Sequence, residues 1–339
     1  MDQVSLTAIE ILAIKNPYDL FKSNQERTWQ NIVRALQSKW HPDRNTDQLS
    51  GKVMTHINYL YERIQKGDLG QILIINEVSS PNRQWSFKYK SEIDIDIGKM
   101  YIGQKMVLFC ITDDNKDLYE KAIQSIQSIR FPSKMMEAGF TRLVPKELKA
   151  YGLTDKGYVF TVYKGSDQIN LGSILKSGIC IKPEHLTWII DSLYQFVLLM
   201  HKVQNKIFGS LDEWSIFINP KFRTIHILGG WWCAERIGSK LVVLPNSIAA
   251  IIPDSVLNIG NADTIIDQLS IKNLGIRLLG DLTGVGSKLL TLDKKYQPMV
   301  SFLRSKPNDS SLKDFSEWTN AINDISRCDL KITFNDIYE

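Results

Sequence analysis

Cysteine is scarce in this sequence, and what there is does not pair. Cys110, Cys180, Cys233 and Cys328 stand far apart with no short ligand spacing. Neither a zinc site nor a disulfide framework is indicated, which fits a reducing compartment. Excess charge of one sign is nearly absent as well: 41 Lys and Arg against 37 Asp and Glu leave a formal net charge of +4. That permits contact with an acidic surface. The basic residues are dispersed, however, and no aromatic–basic platform appears, which argues against nucleic acid as a partner. Long apolar runs are missing too. The most membrane-like stretch, LTWIIDSLYQFVLLM at 186–200, spans 15 residues and carries Asp191 and Gln195. A bilayer needs about 20 apolar residues, so this stretch reads as a buried helix and no membrane association is expected. MDQVSLTAIE lacks a basic stretch followed by an apolar one, so no signal peptide and a cytoplasmic location are expected. His185, His201 and His226 show no metal-ligand spacing, and no nucleophile-elbow pattern supports a Ser-His-Asp combination. No cofactor and no metal are expected.

What is present is the composition of an ordered globular chain. It is 43% apolar and 23% charged over 339 residues, enough for two or three domains. In ERTWQNIVRALQSKW, Trp29, Ile32, Val33, Leu36 and Trp40 recur at steps of three and four, which predicts a helix with one apolar face. Its other face carries Arg27, Arg34 and Lys39. Val53, Ile57, Leu60 and Ile64 repeat the spacing, and two such helices joined by a short break pair as a hairpin. NPYDLF, with Pro17 suited to a first helical turn, closes one end through Tyr18, Leu20 and Phe21. Between the two helices lies KWHPDRN, residues 39–45. Pro42 disfavours helix at His41, so the first helix should end there, with His41 and Asp43 facing solvent. Taken alone, the tripeptide admits two readings: a stop between packed helices, or a working surface.

The ordered series NPYDLF, basic amphipathic helix, KWHPDRN and HINYLYERI resembles the J-domain (DnaJ/Hsp40-type) family of Hsp70 co-chaperones over about residues 14–66. That family carries the tripeptide between its two long helices and an asparagine with aromatics in the helix after it, here Asn58 with Tyr59 and Tyr61. The resemblance implies an N-terminal all-α J-domain over 1–66 and contact with an Hsp70 (DnaK-type) chaperone. His41, Pro42 and Asp43 would promote that partner's ATP hydrolysis, and Arg27, Arg34, Lys39 and Arg44 would meet its acidic surface. No glycine- and phenylalanine-rich linker and no cysteine repeats follow, so broad client handling is not implied. The module looks like a recruiter attached to something specialised.

After the second long helix, KGDLGQILIINEV reads as a glycine turn entering a strand, and RQWSFKYK, SEIDIDIG and KMVLFCIT continue a strand-rich section. In SEIDIDIG, Ile93, Ile95 and Ile97 alternate with acids. DLYEKAIQSIQSI predicts a helix with Leu118, Ala122, Ile126 and Ile129 on one side, and from about residue 186 the pattern is mostly helical. The expected class is therefore α+β. A sheet-rich part with one helix followed by a larger helical part resembles the bilobal protein-kinase fold, with the lobes at 67–160 and 161–339. HKVQNKIFGSLDEWSIFINP resembles its catalytic loop, and RTIHILGGWW stands where the metal-binding segment lies. IIDQLSIKNLGIRLLGDLTG resembles the helix opening the structural half of the C-terminal lobe, and MVSFLRSKPNDSSLKDFSEWTNAINDI its closing helices. The likeness is closest to bacterial or viral kinase-like proteins, and each motif is degenerate.

Carried over by position, the catalytic carboxylate falls at Ser210, the asparagine at Ser215, the metal-binding aspartate at Gly229 and the histidine at Phe208. The lysine falls at Phe109 or Cys110, and its glutamate partner at Glu120 or Ala122. A hydroxyl replaces an ionised carboxylate neither as a magnesium ligand nor as a strong base, and phosphoryl transfer needs all of these groups. The expectation is a pseudokinase-like body, not an enzyme. KGDLGQIL, with only Gly67 and Gly70, is a poor phosphate loop. Asp212 and Glu213 read as solvated turn acids, with a displaced site as the alternative. Trp214, Trp231 and Trp232 read as core, with a partner groove as the alternative. Cys233, beside two tryptophans, reads as a small buried hydrophobe.

The favoured function is a specialised Hsp70 co-chaperone whose inactive kinase-like body binds a particular client or assembly protein. Two alternatives stay open. One is a noncanonical nucleotide-binding switch or phosphotransferase using Glu120, Asp212 and Glu213. The other is a structural or interaction protein in which the J-like hairpin is mere scaffold.

Overall fold

A computed structural model describes residues 5–14, 17–21, 26–65, 71–78, 84–179 and 181–338. These fall into two compact units, one within Met1–Ile74 plus Trp85–Lys90 and the other within Ile75–Gln84 plus Ser91–Tyr338. The architecture is mixed α+β, with an N-terminal helical region and a central sheet-rich core. The described residues contain no helix long and apolar enough to cross a membrane.

The first unit is built from α1 (Ala8–Ala13), α2 (Pro17–Leu20), α3 (Glu26–Trp40) and α4 (Ser50–Gln65). Thr7 and Glu10 form a reciprocal capping box that starts α1. The expected stripes of α3 and α4 face each other. Trp29, Val33, Leu36 and Trp40 are buried against Val53, Ile57 and Leu60, with Leu20 and Phe21 from the α2 end and Ala8 and Ile11 from α1 completing the core. Each such apolar side chain contributes about 1.5–3 kcal/mol on full burial, so this small core rests on very few residues. The strands β1 (Gln71–Asn76) and β2 (Gln84–Tyr89) form a two-stranded sheet. The glycine segment at 66–70, including Gly67 and Gly70 of the poor phosphate loop, lies outside the described residues.

The second unit begins with β3 (Ser91–Ile95), β4 (Gly98–Ile102) and β5 (Met106–Ile111), then α5 (Lys116–Gln127) and α6 (Lys134–Phe140), then β6 (Lys146–Thr154) and β7 (Gly157–Tyr163). These strands form one antiparallel sheet in the order β3-β4-β5-β7-β6. Gly98 is required at the β3–β4 turn: its φ is 151°, and a Cβ there would stand 2.0 Å from the Cys110 carbonyl oxygen. On α5, Tyr119, Ala122 and Ile126 are buried, while Leu118 and Ile129 pack at the margin. The helix is therefore rotated slightly from the face its sequence predicts.

The chain continues through β8 (Ile169–Asn170), α7 (Leu171–Lys176) and α8 (Pro183–Leu198), which runs into a π turn at Leu199–Val203. Next come β9 (Lys206–Ile207), β10 (Ile216–Asn219), β11 (Thr224–Ile227) and β12 (Glu235–Arg236). Then come α9 (Asn246–Ala249), α10 (Asp254–Leu257), α11 (Ile265–Leu278), α12 (Gln297–Arg304), α13 (Ser311–Ala321) and α14 (Phe334–Tyr338). The 186–200 stretch is indeed buried helix. Its Asp191 accepts a hydrogen bond from Trp318 Nε1 at 3.0 Å and pairs with Arg327. One apolar cluster runs from Phe109, Ile111, Phe160 and Val162 of the sheet to α8, α11, α12 and α13.

One buried polar knot fixes the chain where it leaves the π turn. Asp267 of α11 accepts the backbone N–H groups of Phe208 and Gly209 at 2.7 Å each, and His201 Nε2 lies 2.9 Å from the same carboxylate. Because Nε2 donates to Asp267, Nδ1 accepts the Ser311 hydroxyl at 3.1 Å. Asp267→Ala strands two buried N–H groups and a buried imidazole, so it should destabilise the protein by about 3–5 kcal/mol. Asp267→Asn keeps an acceptor and should lose less. Urea unfolding midpoints of the two variants check this ordering.

Candidate functional site

The 39–50 segment is an ordered turn. α3 stops at Trp40, and the His41 carbonyl accepts the N–H groups of Arg44 and Asn45, each at 2.9 Å. Asn45 Nδ2 donates to the Lys39 carbonyl at 2.9 Å, Asp47 N–H to Asn45 Oδ1 at 2.9 Å, and Leu49 N–H to Asp47 Oδ1 at 2.8 Å. These side-chain-to-backbone bonds carry the chain from one helix into the next. Asp43 N–H donates to His41 Nδ1 at 3.2 Å, which places the imidazole proton on Nε2. The His41 side chain is 44% exposed and that of Asp43 86%, and Pro42 and Arg44 are exposed.

The basic residues expected beside the turn divide by environment. Arg34 is exposed. Lys39 donates to the Leu6 carbonyl at 2.9 Å, so its ammonium ties the segment before α1 to the end of α3. The side chain of Arg27 lies outside the described residues. Asn58 accepts Gln37 Nε2 at 2.8 Å and stitches α4 to α3. Tyr61 packs on Phe21 with ring centroids 5.9 Å apart, whereas Tyr59 is exposed.

In the second unit, residues distant in sequence converge on a cavity of about 170 Å³. The β3–β4 hairpin contributes Asp94, Ile95, Asp96 and Met100, and β5 contributes Phe109. The segment before β10 brings Ser210, Asp212, Trp214 and Ser215; the one after β11 brings Gly229, Gly230 and Trp232, with Pro245 and Ser247 beyond. Four of the five positions read as degenerate in the sequence, Phe109, Ser210, Ser215 and Gly229, therefore line one cavity. Phe208 does not. It is buried edge-on to Phe196 and Trp231, both at 5.1 Å, and holds the loop from behind. Of the two candidates on β5, Phe109 reaches the cavity, while Cys110 is buried elsewhere and its thiol is pushed up to about 12 by burial.

Glu120 and Ala122 are absent from the lining. Glu120 pairs at the surface with Lys116 at 3.5 Å, and Ala122 is core. The neighbouring Lys121 pairs with Glu235 instead.

The two turn acids are buried rather than solvated. Arg277 makes a bidentate pair with Glu213, both contacts at 2.6 Å. Asp212 closes a tight turn on itself: Oδ1 accepts the N–H groups of Trp214 at 3.0 Å and Ser215 at 2.9 Å, and Oδ2 accepts the Ser247 hydroxyl at 3.2 Å. Burial raises its pKa to about 6, against the opposing effect of those hydrogen bonds. Among the tryptophans, Trp231 is core, with Nε1 donating to the Ile227 carbonyl at 3.0 Å, while Trp214 and Trp232 line the cavity. Cys233 is fully buried, as its setting predicts.

Ser311, His201 and Asp267 stand in hydrogen-bonded order, yet none lines the cavity and each is buried. With Asp267 also holding Gly209 N–H, the arrangement is structural. Among the described residues, no group of three His, Cys, Asp or Glu side chains is placed to hold a metal, and no lysine, arginine or histidine lines the cavity. Sequence reasoning missed Asp94, Asp96, Ser247 and Asp267. Only SEIDIDIG carried a signal, in its alternation of Ile93, Ile95 and Ile97 with acids.

Because burial raises the Asp212 pKa, folding favours its protonated form. The penalty for ionisation is present above about pH 6 and relieved as pH falls through that value. Asp212→Asn keeps an acceptor without the charge. Its melting temperature relative to the unsubstituted protein should therefore be higher at pH 8 than at pH 5, as measured by thermal unfolding at both. No protein-family model matches this chain and no curated protein matches it.

Proposed function

We propose that the chain is a specialised Hsp70 co-chaperone. Residues 1–66 act as a J-domain that recruits an Hsp70-type chaperone and stimulates its ATPase. Residues 67–160 and 161–339 form the two lobes of a kinase-like body that is catalytically inactive and binds a specific protein partner. The observation that carries the reading is the ordered turn at His41, Pro42 and Asp43, exposed between two helices that already satisfy each other's apolar faces. The turn's own bonding uses His41 Nδ1 and the Asp43 backbone N–H, and it leaves the Asp43 carboxylate 86% exposed to solvent. Arg34 and Arg44, both exposed, supply the positive charge that would speed encounter with an acidic surface and lose effect with salt.

Support for the second half comes from the cavity. Positions matched to catalytic groups by sequence resemblance alone, and up to 120 residues apart (Phe109 and Gly229), line one cleft. In that cleft the base, metal-ligand and lysine positions carry Ser210, Ser215, Gly229 and Phe109. A cleft so substituted lacks the charges that phosphoryl transfer requires. Any ATP hydrolysis linked to this protein is then the partner's.

The test is single-turnover ATP hydrolysis by an Hsp70 from the same cells, with the intact protein and with His41→Gln. The intact protein should accelerate hydrolysis, and the substitution should remove about tenfold or more of that acceleration, about 1.4 kcal/mol of barrier. Circular dichroism should be unchanged, since His41 lies outside the hairpin core. Absence of stimulation by the folded, intact protein overturns the reading and leaves the scaffold alternative.

A further inference from the structure

We propose that the cavity between the β3–β4 hairpin and the 210–215 segment is a binding site for a small organic cation, of the size of a single-ring amine. This does not rest on the co-chaperone reading, because it uses only the walls of the cavity. Those walls are of two kinds. Phe109, Trp214 and Trp232, with Met100, supply aromatic and polarisable surface, and Asp94, Asp96 and Asp212 supply carboxylates. Among the described residues no lysine, arginine or histidine lines the cavity. An anion entering it meets three carboxylates and, among the lining side chains, no cation; the one ammonium beside them, that of Lys99, is 3.5 Å from Asp94 at the exposed rim. A cation meets the same carboxylates and the negative faces of aromatic rings, a combination that strengthens as water is excluded.

Asp212 is the centre of the argument. It is a buried carboxylate whose hydrogen-bond partners, Trp214, Ser215 and Ser247, are all neutral. The Arg277 guanidinium is engaged by the neighbouring Glu213 in a bidentate pair. Lys99 pairs with Glu92 and lies 3.5 Å from Asp94, on the solvent side of the hairpin, where Asp94 is 88% exposed. Asp96 receives two hydrogen bonds from Asn246, again a neutral partner. A bound ammonium would supply the counter-charge that the fold leaves out. Trp214 already accommodates one ammonium, that of Lys176, 4.7 Å from its ring centroid.

Size sets the ligand class. A cavity of about 150 Å³ holds a benzene ring, and this one is about 170 Å³. A bare metal ion is a poor fit, since no three ligating side chains converge among the described residues. A nucleoside triphosphate would meet carboxylates on this lining and no lysine or arginine.

Three probes of one shape separate charge from fit: phenethylamine, 2-phenylethanol and phenylacetate, titrated calorimetrically into the full chain at neutral pH. The amine should bind about tenfold or more tighter than the alcohol, and the acid should not bind. Asp212→Asn should shrink the amine's advantage to about twofold while leaving the alcohol's affinity unchanged, which also shows that the variant's cavity is intact. Trp232→Leu should weaken amine and alcohol together. Equal binding of amine and alcohol, no heat from any probe, or an amine advantage that survives Asp212→Asn each overturns the proposal. Should Asp212→Asn fail to fold, Asp94→Asn, at an exposed position, takes its place with a smaller expected loss, and an undiminished advantage there overturns the proposal equally.

Discussion

The carboxylate of Asp267 is the fixed point from which the second unit is organised. A buried charge costs several kcal/mol in lost hydration unless donors surround it. Here the donors are two consecutive backbone N–H groups and an imidazole, so the cost is offset only when the 208–209 backbone and the π turn are both in place. Everything that lines one side of the cavity hangs from that anchorage. Ser210, Asp212, Trp214 and Ser215 follow within six residues of Gly209, and the Asp212 turn then fixes their directions.

The helix that carries Asp267 repeats the same device. α11 is buried nearly all round, yet Asp267, Gln268, Ser270 and Lys272 are among its buried residues. Gln268 donates to the Asn308 carbonyl and to Asp314, and Lys272 to the Phe302 carbonyl and Ser305. Asp267, the Gln268 amide N–H and Lys272 each reach a partner on a different element, whereas Ser270 donates back to the Ile266 carbonyl within the helix, so α11 sets the positions of α12, α13 and the 208–215 loop together. Apolar packing is tolerant of small slips, whereas an unpaired buried donor or acceptor costs its full desolvation. The polar knot therefore selects one arrangement from the many that the apolar core would accept.

This explains which features were legible in the sequence. The α3–α4 hairpin, the stop at His41, the β5 strand and the buried helix at 186–200 all follow from patterns that repeat within a few residues. Trp29 to Trp40, and the polar Asp191 and Gln195 within an apolar run, carry their meaning locally. The burial of Asp212 and Glu213 was not legible, because what makes it affordable lies far away: Arg277 is 64 residues from Glu213, and Ser247 is 35 from Asp212. As isolated letters, two adjacent acids in a turn read as solvated. Asp267 was invisible for the same reason, its backbone partners being 58 and 59 residues distant. Phe109, Ser210, Ser215 and Gly229 share no periodicity, so nothing local in the sequence brings them to one cavity.

The persistence of the cavity itself has a mechanical cause. Removing large or charged side chains from a cleft normally lets the walls close, since the lining gains contacts by collapsing. Here the walls are held apart by constraints that do not relax together. Gly230 sits at φ 81° with Ser210 so close that a Cβ would come within 2.6 Å of its hydroxyl oxygen. Trp214 is pressed onto Gly172, where a Cβ would lie 2.3 Å from the indole. Phe109 is stacked on Phe160 at 4.8 Å and set edge-on to Trp232 at 5.9 Å. The hairpin side is tied across by Asn246 to Asp96. Each wall is braced from behind by backbone or by another ring, so closure would break a hydrogen bond or force a ring out of its stack. A rigid, negatively charged, aromatic-walled chamber is preorganised for a cation in a way that a collapsed one would not be.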